Sequence, residues 1–349
     1  MQKEIVSFTV HHIVPRYGRG AGLRFFLNAQ IHAKDFSRWR TFVDRDLSED
    51  VFSTMRPSLS QKLFRPYLRP WLDVGDKVSF LTAHYSLLRG RFPSAVLPLL
   101  LSEPGVELGG LAGKSGRRYA LFLGTGTTKE GEISVSFIDQ TLGANLACLR
   151  AVVGEADAGE RVLWIGGLQG AKPPLGRDDI VQATRELNGL RPKHAVLHAA
   201  CVVSEWLGIH KMIAPGRSDH ISQRAWRKFL PKRKIHADYD SFWEEFGAVG
   251  IAAGDYELRL PLPRRTLEEV ASKRRKEWSR RYERLDALSG DIRATIESLA
   301  RGEPRDITSP VSARPRQAEF PHPGGVLLRH DDGGPRSQDR PPNRRPKKG

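Results

Sequence analysis

Residues 169–177 combine features that suit the binding of phosphate groups. They follow an apolar run and two glycines at 162–167, and they end where a helix is predicted to begin. Glycine leaves backbone N–H groups open, and the start of a helix carries about half a positive charge. We therefore predict a cradle for the pyrophosphate of acyl-CoA. Its members are Gln169, Gly170, Lys172, Gly176 and Arg177.

Other residues of the same segment count against this cradle. Pro173 and Pro174 lack N–H groups, which removes two donors. Asp178 and Asp179 are predicted to start the following helix, and their carboxylates would repel phosphate. The alternative interpretation is an ordinary connection between a strand and a helix.

Several titratable side chains are candidates for proton transfer near neutral pH. His84 and His220 carry imidazoles, which titrate in this range, and Tyr85 adjoins the first of them. Glu132 and Asp139 are candidate partners because the predicted sheet could bring them close. The alternative is that these side chains pack and form hydrogen bonds inside the protein.

A stripe of potential zinc ligands lies on one predicted helix. His194, His198, Cys201 and Glu205 recur at intervals of three and four residues, so they share a helical face. The helix is apolar on all sides, which favours hydrogen-bonded core residues over a metal site. We therefore predict no metal.

The charge of the chain points to anionic partners. It contains 56 Lys and Arg against 40 Asp and Glu, a formal net charge of +16. A cluster on a long C-terminal helix is predicted to contact an anionic membrane surface; its members are Arg274, Arg275, Arg280 and Arg281. A solvated helix face with interspersed glutamates is the alternative. Nucleic acid is a less favoured partner because no recognised nucleic-acid module is present.

The pattern of apolar residues predicts an α/β (α+β) protein. We expect a flexible leader at 1–20, a helical part at 21–108, an α/β core at 109–265, a basic helix at 266–300 and a disordered tail at 301–349. Strands are predicted at 119–124, 132–138, 147–153 and 161–165, where short β-rich runs alternate with turns, and later at 211–214 and 256–262. This mostly antiparallel sheet, followed by two helices, resembles the order of elements in an N-acetyltransferase-like fold.

Cysteine usage and the apolar runs indicate the compartment. Cys148 and Cys201 lie in apolar surroundings and are predicted to be core residues rather than a disulfide framework. No apolar run approaches the ~20 residues of a membrane-spanning helix. We expect a cytoplasmic protein without a transmembrane segment, and a peripheral position at the inner membrane is the alternative.

Ten segments, in order, resemble the VirK/YbjX family of bacterial proteins. They include RPYLRPWL at 65–72, EGEISVSF at 130–137, LWIGGLQG at 163–170, ATRELNGLRPKHAVL at 183–197, DYDSFWEEFG at 238–247, LPLP at 260–263 and SKRRKEWSRRYERLD at 272–286. Together they cover roughly residues 60–290. The combination of LQG, GLRPK and YDSFWEE is specific, whereas each alone is weak.

The resemblance implies a role rather than a reaction. The family is associated with virulence and the cell envelope, including surface display of an outer-membrane protein and tolerance of antimicrobial peptides. It supplies no agreed activity and no catalytic residues. We therefore expect a factor that supports the envelope by binding, with envelope proteins as further candidate partners. An acyl-CoA-dependent transferase is the alternative, and a nucleic-acid binder is the third.

Overall fold

A mixed sheet lies at the centre of the part of the chain that the computed structural model describes, residues 2–47, 52, 55–156, 159–216, 239–251 and 254–303. These residues form eight strands in the spatial order β1-β2-β3-β4-β5-β6-β8-β7. All neighbours are antiparallel except β5 and β6, which are parallel. The strands are β1 (Val106–Ala112), β2 (Arg118–Thr128), β3 (Gly131–Asp139), β4 (Ala144–Glu155), β5 (Arg161–Gly170), β6 (Lys211–Pro215), β7 (Val249–Gly250) and β8 (Asp255–Arg259).

Helices precede the sheet, connect β5 to β6 and follow β8. A π-helical turn at Thr9–Ile13 separates the first two. The helices are α1 (Gln2–Phe8), α2 (Val14–Tyr17), α3 (Arg19–Ile31), α4 (Ala33–Asp46), α5 (Arg56–Lys62), α6 (Val74–Arg91), α7 (Leu97–Leu100), α8 (Arg177–Glu186), α9 (Pro192–Trp206), α10 (Tyr239–Glu244) and α11 (Ser272–Ala300). None of the described helices has the length and apolar content needed to cross a bilayer.

The central strand β4 shows why the sheet is covered on both faces. Successive side chains of a strand point to opposite faces. In β4 the residues at 146–149 and 151–154 are consecutively buried, so both faces pack against other elements. Helices α6 and α9 both contact this strand. The α/β (α+β) class and the mostly antiparallel sheet predicted from the sequence are confirmed.

The N-terminal region differs from the flexible leader predicted for residues 1–20. Residues 2–17 are helical, and Ile5, Phe8 and Ile13 are buried. The ring of Phe8 lies 5.7 Å from that of Phe25 and 5.9 Å from that of Phe36. Apolar residues at helical spacing anchor this segment, although its His, Arg and Gly residues suggested a flexible leader.

Three further boundaries differ from the prediction. Strand β1 lies partly within the predicted helical part, and its Gly109 and Gly110 conceal the strand pattern. Strand β8 ends at Arg259 rather than at residue 262, and α11 begins at Ser272 rather than at residue 266. The tail from 304 onward, and His220 with its surroundings at 217–238, lie outside the described residues.

Candidate functional site

Strands β5 and β6 run side by side and then separate. Within the described residues they pair only through Leu163 with Met212 and Trp164 with Ile213. Strand β5 continues to Gly170, so its second half has no strand partner on the β6 side among the described residues. A bulge accompanies the separation, because the register with β4 shifts at Gly166. A Cβ on Gly166 would overlap the backbone oxygen of Glu130, so this position requires glycine.

A buried arginine holds the point where the two strands separate. The Nε of Arg69 donates to both carboxylate oxygens of Asp255 at 2.9 Å. Its Nη1 donates to the carbonyl of Ile165 in β5 at 2.8 Å, and its Nη2 lies 3.4 Å from the carbonyl of Ile213 in β6. The guanidinium therefore joins β5, β6 and β8 in place of the missing ladder.

Helix α10 closes the space beyond Arg69. The hydroxyl of Tyr239 donates to the carbonyl of Leu168 at 3.0 Å, and the indole of Trp243 donates to the carbonyl of Pro215 at 3.0 Å. Burial raises the pKa of Tyr239 to about 12, and the charge of Glu130 adds to the rise. The separation between the strands is thus filled by side chains of the protein itself.

The predicted phosphate cradle is only partly assembled. Gln169 lies within β5, and its amide donates to a carboxylate oxygen of Glu130 at 2.6 Å. The backbone N–H of Gly176 donates to Asp179 at 2.7 Å, so a carboxylate already caps helix α8. Lys172 and Arg177 are exposed.

The surroundings of Gly170 are open, and no other atom approaches a Cβ placed on Gly176 within 4 Å among the described residues. Apart from its chain neighbours, the one described atom within 4 Å of a Cβ placed on Gly170 is Cε of Lys193, at 3.7 Å. Burial lowers the pKa of Lys193, and the nearby Arg191 lowers it further. Lys193 lies in the first turn of helix α9, so it supplies a cation near this loop that the sequence pattern did not identify.

The structure brings His84, Tyr85 and Glu132 together, three of the five acid–base candidates, whereas Asp139 pairs with Arg117 at 2.6 Å. Tyr85 donates to Glu132 at 2.7 Å, and Lys62 forms a short ion pair with the same carboxylate. His84 packs against the ring of Tyr85 at 5.0 Å. Tyr67 completes the group, which we call the Glu132 centre; its side chains are Lys62, Tyr67, His84, Tyr85 and Glu132, all buried.

The Glu132 centre is sealed from solvent. Burial lowers the pKa of His84 to about 4, against an opposing effect of Glu132, so its imidazole is neutral. Neither ring nitrogen of His84 has a hydrogen-bond partner among the described residues. The adjoining cavity measures only about 30 Å³ and is lined by apolar side chains such as Leu87 and Val203. This arrangement leaves no room for a substrate.

A larger groove lies between helices α9 and α11 and is closed at one side by residues 261–265. Its volume is about 610 Å³, within the range of small-molecule sites. We call it the α9–α11 groove. Its apolar wall includes Leu190, Val202, Phe246, Leu262, Trp278 and Leu285, and its arginines are Arg264, Arg265, Arg281 and Arg293.

Two histidines of the stripe of potential zinc ligands, His194 and His198, face this groove. His198 Nε2 lies 2.8 Å from Ser289 Oγ and 3.1 Å from the carbonyl of Leu285. A carbonyl only accepts, so this contact assigns the proton to Nε2 and leaves Nδ1 as the basic nitrogen. Burial lowers the pKa of His198 to about 4 and that of His194 to about 3. Both imidazoles are therefore neutral at neutral pH.

The groove also contains buried polar atoms without a partner. His194 Nε2 and Trp278 Nε1 have no hydrogen-bond partner among the described residues, and the nearest carboxylate oxygen to His194, from Glu245, is 3.7 Å away. Buried polar groups are normally satisfied. Unsatisfied groups that line a groove of this size are suited to hydrogen-bond a ligand.

The other two potential zinc ligands of the stripe, Cys201 and Glu205, are poorly suited to bind a metal. Burial raises the pKa of the Cys201 thiol, so it is a poor thiolate ligand. Glu205 pairs with Arg293 at 2.9 Å. No group of three or more His, Cys, Asp or Glu in the described ranges is arranged to hold a metal ion.

The four arginines assigned to membrane contact do not form one surface. Arg281 is buried, donates to the carbonyl of Asn188 at 3.3 Å and lies 4.5 Å from the ring of Trp278. Arg275 and Arg280 are both exposed, and Arg275 donates to the carbonyl of Val270 at 3.1 Å. Arg274 is 3.6 Å from Glu277. The assignment of Arg281 to an exposed surface is wrong, because its helical face packs inward.

Comparison with known proteins identifies the family. The family described as "Protein of unknown function (DUF535)" matches residues 18–294, and the chain belongs to it. The protein YbjX of Escherichia coli (strain K12) is 36% identical over 267 residues, which cover 76% of this chain and 80% of YbjX. A Haemophilus influenzae protein is 31% identical over 131 residues, which cover 37% of this chain and 43% of that protein. The resemblance to the VirK/YbjX family is confirmed.

Solved structures similar to this chain include a cAMP-binding acyltransferase from Mycobacterium smegmatis. One of its mutants superimposes with a TM-score of 0.30 and 11% identity, covering 66% of this chain and 63% of that chain. The unmutated protein gives a TM-score of 0.26 and 12% identity, covering 62% and 59%. The chain therefore spans less than two thirds of that acyltransferase. TM-scores this low do not define a binding site common to this chain and the acyltransferase.

Proposed function

We propose that this protein is a cytoplasmic factor that supports the bacterial cell envelope, including surface-protein display or virulence, by binding an anionic amphiphile in the α9–α11 groove. The ligand class is a molecule with an apolar chain and a phosphate or carboxylate head. The observation that carries this proposal is the composition of the groove, where an apolar wall adjoins arginines and buried polar atoms without partners.

The charges of the groove favour an anionic head over a cationic one. Four arginines line it, against the carboxylates of Glu205, Glu245 and Asp286. Glu205 and Asp286 are paired with Arg293 and Arg264 of the groove, and Glu245 is paired with Arg191 outside it. Arg265 and Arg281 then remain as the groove's cations outside any ion pair of the described residues. Arginine binds planar or tetrahedral oxyanions through several N–H groups at once. The apolar wall then accommodates the chain of the same molecule.

Calorimetry with three probes tests the proposal. We expect dodecyl phosphate to bind, and inorganic phosphate and the neutral dodecyl maltoside to bind more weakly. Arg265→Glu should lower the affinity for dodecyl phosphate, and Val202→Phe should lower it by filling the groove. Arg185→Glu is the matched control, because Arg185 is exposed on α8 and does not line the groove.

Two results would contradict the proposal. The first is an absence of heat with dodecyl phosphate, and the second is an equal loss of affinity in the Arg265 and Arg185 variants. The envelope role is tested separately in a strain that lacks the gene. There the wild type and Arg185→Glu should restore tolerance of a cationic antimicrobial peptide, whereas Arg265→Glu should not.

The alternative function is an acyl-CoA-dependent transferase, and the separation of β5 from β6 favours it. This separation ends at Gly170, where the backbone is open and Lys193 is near. The filling of the gap by Tyr239 and Trp243, and the capping of α8 by Asp179, count against it. Calorimetry with CoA and acetyl-CoA on the wild type and on the Gly170→Asp variant measures whether the loop at Gly170 binds CoA. If the wild type gives no heat with millimolar CoA, the transferase should be abandoned.

A further inference from the structure

We propose that the outer face of the N-terminal helical hairpin docks on an anionic lipid bilayer. The hairpin consists of residues 2–31, in which α1, the π-helical turn and α2 lead to a reversal at Gly18, and α3 returns beside them. Gly18 has a φ of 81°, which suits glycine. Phe8 and Phe25 bury the inner face of the hairpin against Phe36.

The outer face of α3 is apolar. Leu23, Leu27 and Ile31 are 62%, 51% and 76% exposed, and their spacing of four residues places them in one stripe. The stripe lies opposite Phe25 and Ala29, which are buried.

Exposed apolar side chains are concentrated in this hairpin. The described residues include eleven large exposed apolar side chains, and five of them lie here: Val6, Val10, Leu23, Leu27 and Ile31. Single exposed apolar residues are normal, but a concentration indicates a contact surface.

The positive charge of the hairpin indicates which partner binds to its outer face. Residues 5–34 contain no Asp or Glu, whereas Arg16, Arg19, Arg24 and Lys34 are all exposed. Arg19 precedes Leu23 by four residues and Arg24 precedes Leu27 by three, so cations flank the apolar stripe. A second copy of this chain would place like charges against each other. An anionic bilayer offers both negative headgroups and an apolar interior.

Vesicle flotation with the full chain tests this docking. Vesicles of phosphatidylcholine alone are compared with vesicles that also contain phosphatidylglycerol, at low and high salt. We expect binding that requires phosphatidylglycerol and weakens with salt. Leu27→Glu should lower the partition coefficient about tenfold or more, and Arg24→Ala about fivefold.

Leu142→Glu is the matched control, because Leu142 and Leu27 are both 51% exposed. It should bind like the wild type, and thermal unfolding should show that all variants are folded. Equal flotation of the Leu27 and Leu142 variants would overturn the proposal, as would equal binding to neutral and anionic vesicles. A lipid-free dimer that Leu27→Glu dissociates, without flotation of the wild type, would instead assign the surface to a second copy.

Discussion

The Glu132 centre and the α9–α11 groove contain similar side chains in opposite settings. Each holds a histidine whose pKa is lowered by burial, to about 4 for His84 in the centre and about 3 for His194 in the groove. In the centre, Lys62 and Tyr85 face a common carboxylate beside a cavity of about 30 Å³. In the groove, the polar atoms face an opening of about 610 Å³. The two regions differ in whether a ligand can reach their polar side chains, and not in the types of residue that they contain.

This difference assigns a structural role to the Glu132 centre. Lys62 from α5 and Tyr85 from α6 meet Glu132 from β3, and the first two residues precede it by 70 and 47 positions. The contacts therefore attach the N-terminal helices to the sheet. The groove has a different role because its arginines and histidines border space that a ligand can enter.

The largest effect should follow from breaking the ion pair of the Glu132 centre. Lys62→Met leaves the carboxylate of Glu132, which is fully buried, without its cation. Removing one partner of a buried pair typically lowers the free energy of unfolding by about 3–5 kcal/mol. Urea unfolding measures this loss, and the double variant Lys62→Met/Glu132→Gln should recover most of it.

The rim of the groove supplies the matched control for this variant. Arg264 and Asp286 form an exposed pair at 2.6 Å, with 46% and 58% of their side chains accessible. Breaking it with Arg264→Met should change the free energy of unfolding by less than about 1 kcal/mol. Similar losses in the Lys62 and Arg264 variants would contradict the distinction between a sealed centre and an open groove.

The second effect concerns stability in acid. The folded protein lowers the pKa of His84 from its ordinary value of 6.5 to about 4, chiefly through burial. Below pH 6.5 the unfolded chain therefore binds a proton that the folded chain does not. The free energy of unfolding should fall by about 1.4 kcal/mol per pH unit, and by about 3 kcal/mol in total, between pH 6.5 and 4.

Replacement of His84 isolates this contribution from that of other groups. His84→Leu removes the proton uptake, so its stability should fall less steeply than that of the wild type as pH decreases. Urea unfolding at a series of pH values provides both curves. Parallel curves over the whole range would show that His84 is protonated in the folded state, and the centre would then not be sealed.

The third effect compares two glycines of strand β5. A Cβ on Gly166 would overlap the backbone oxygen of Glu130, whereas a Cβ on Gly170 meets only Lys193 at 3.7 Å. Gly166→Ala should lower the free energy of unfolding by about 1–3 kcal/mol, as overpacking does. Gly170→Ala should change it by less than about 0.5 kcal/mol. Equal losses in thermal unfolding would show that the end of β5 is as tightly packed as its bulge.

Local patterns were sufficient to predict much of the fold. The strands β2 to β5 follow from short apolar runs separated by turns, and α8 and α9 follow from their caps and periodicity. Strand β1 was missed because Gly109 and Gly110 interrupt its pattern. Residues 2–17 were misjudged because only Ile5, Phe8 and Ile13 reveal the buried face of a helix.

The candidate site was harder to predict because it depends on distant contacts. Tyr85 and Glu132 were correctly considered as partners, but only the docking of α5 and α6 on the sheet shows that they are inaccessible. The groove joins residues far apart in sequence, such as His198 and Ser289, 91 positions apart. One available signal was that four segments of the family resemblance, at 183–197, 238–247, 260–263 and 272–286, all contribute to its wall.

The smallest effect concerns the hydrogen bond that orients His198 in the groove. The hydroxyl of Ser289 donates to the carbonyl of Leu285 at 2.8 Å and accepts from His198 Nε2 at 2.8 Å. Ser289→Ala should lower the free energy of unfolding by only about 0.5–1.5 kcal/mol, because Nε2 keeps the Leu285 carbonyl at 3.1 Å. Ser279→Ala, which removes a contact with Glu283 at 2.9 Å, should cost less still. A loss above about 3 kcal/mol in the free energy of unfolding for Ser289→Ala would show that this wall is a buried hydrogen-bond network like the Glu132 centre. The polar atoms of the groove would then not be free to bind a ligand.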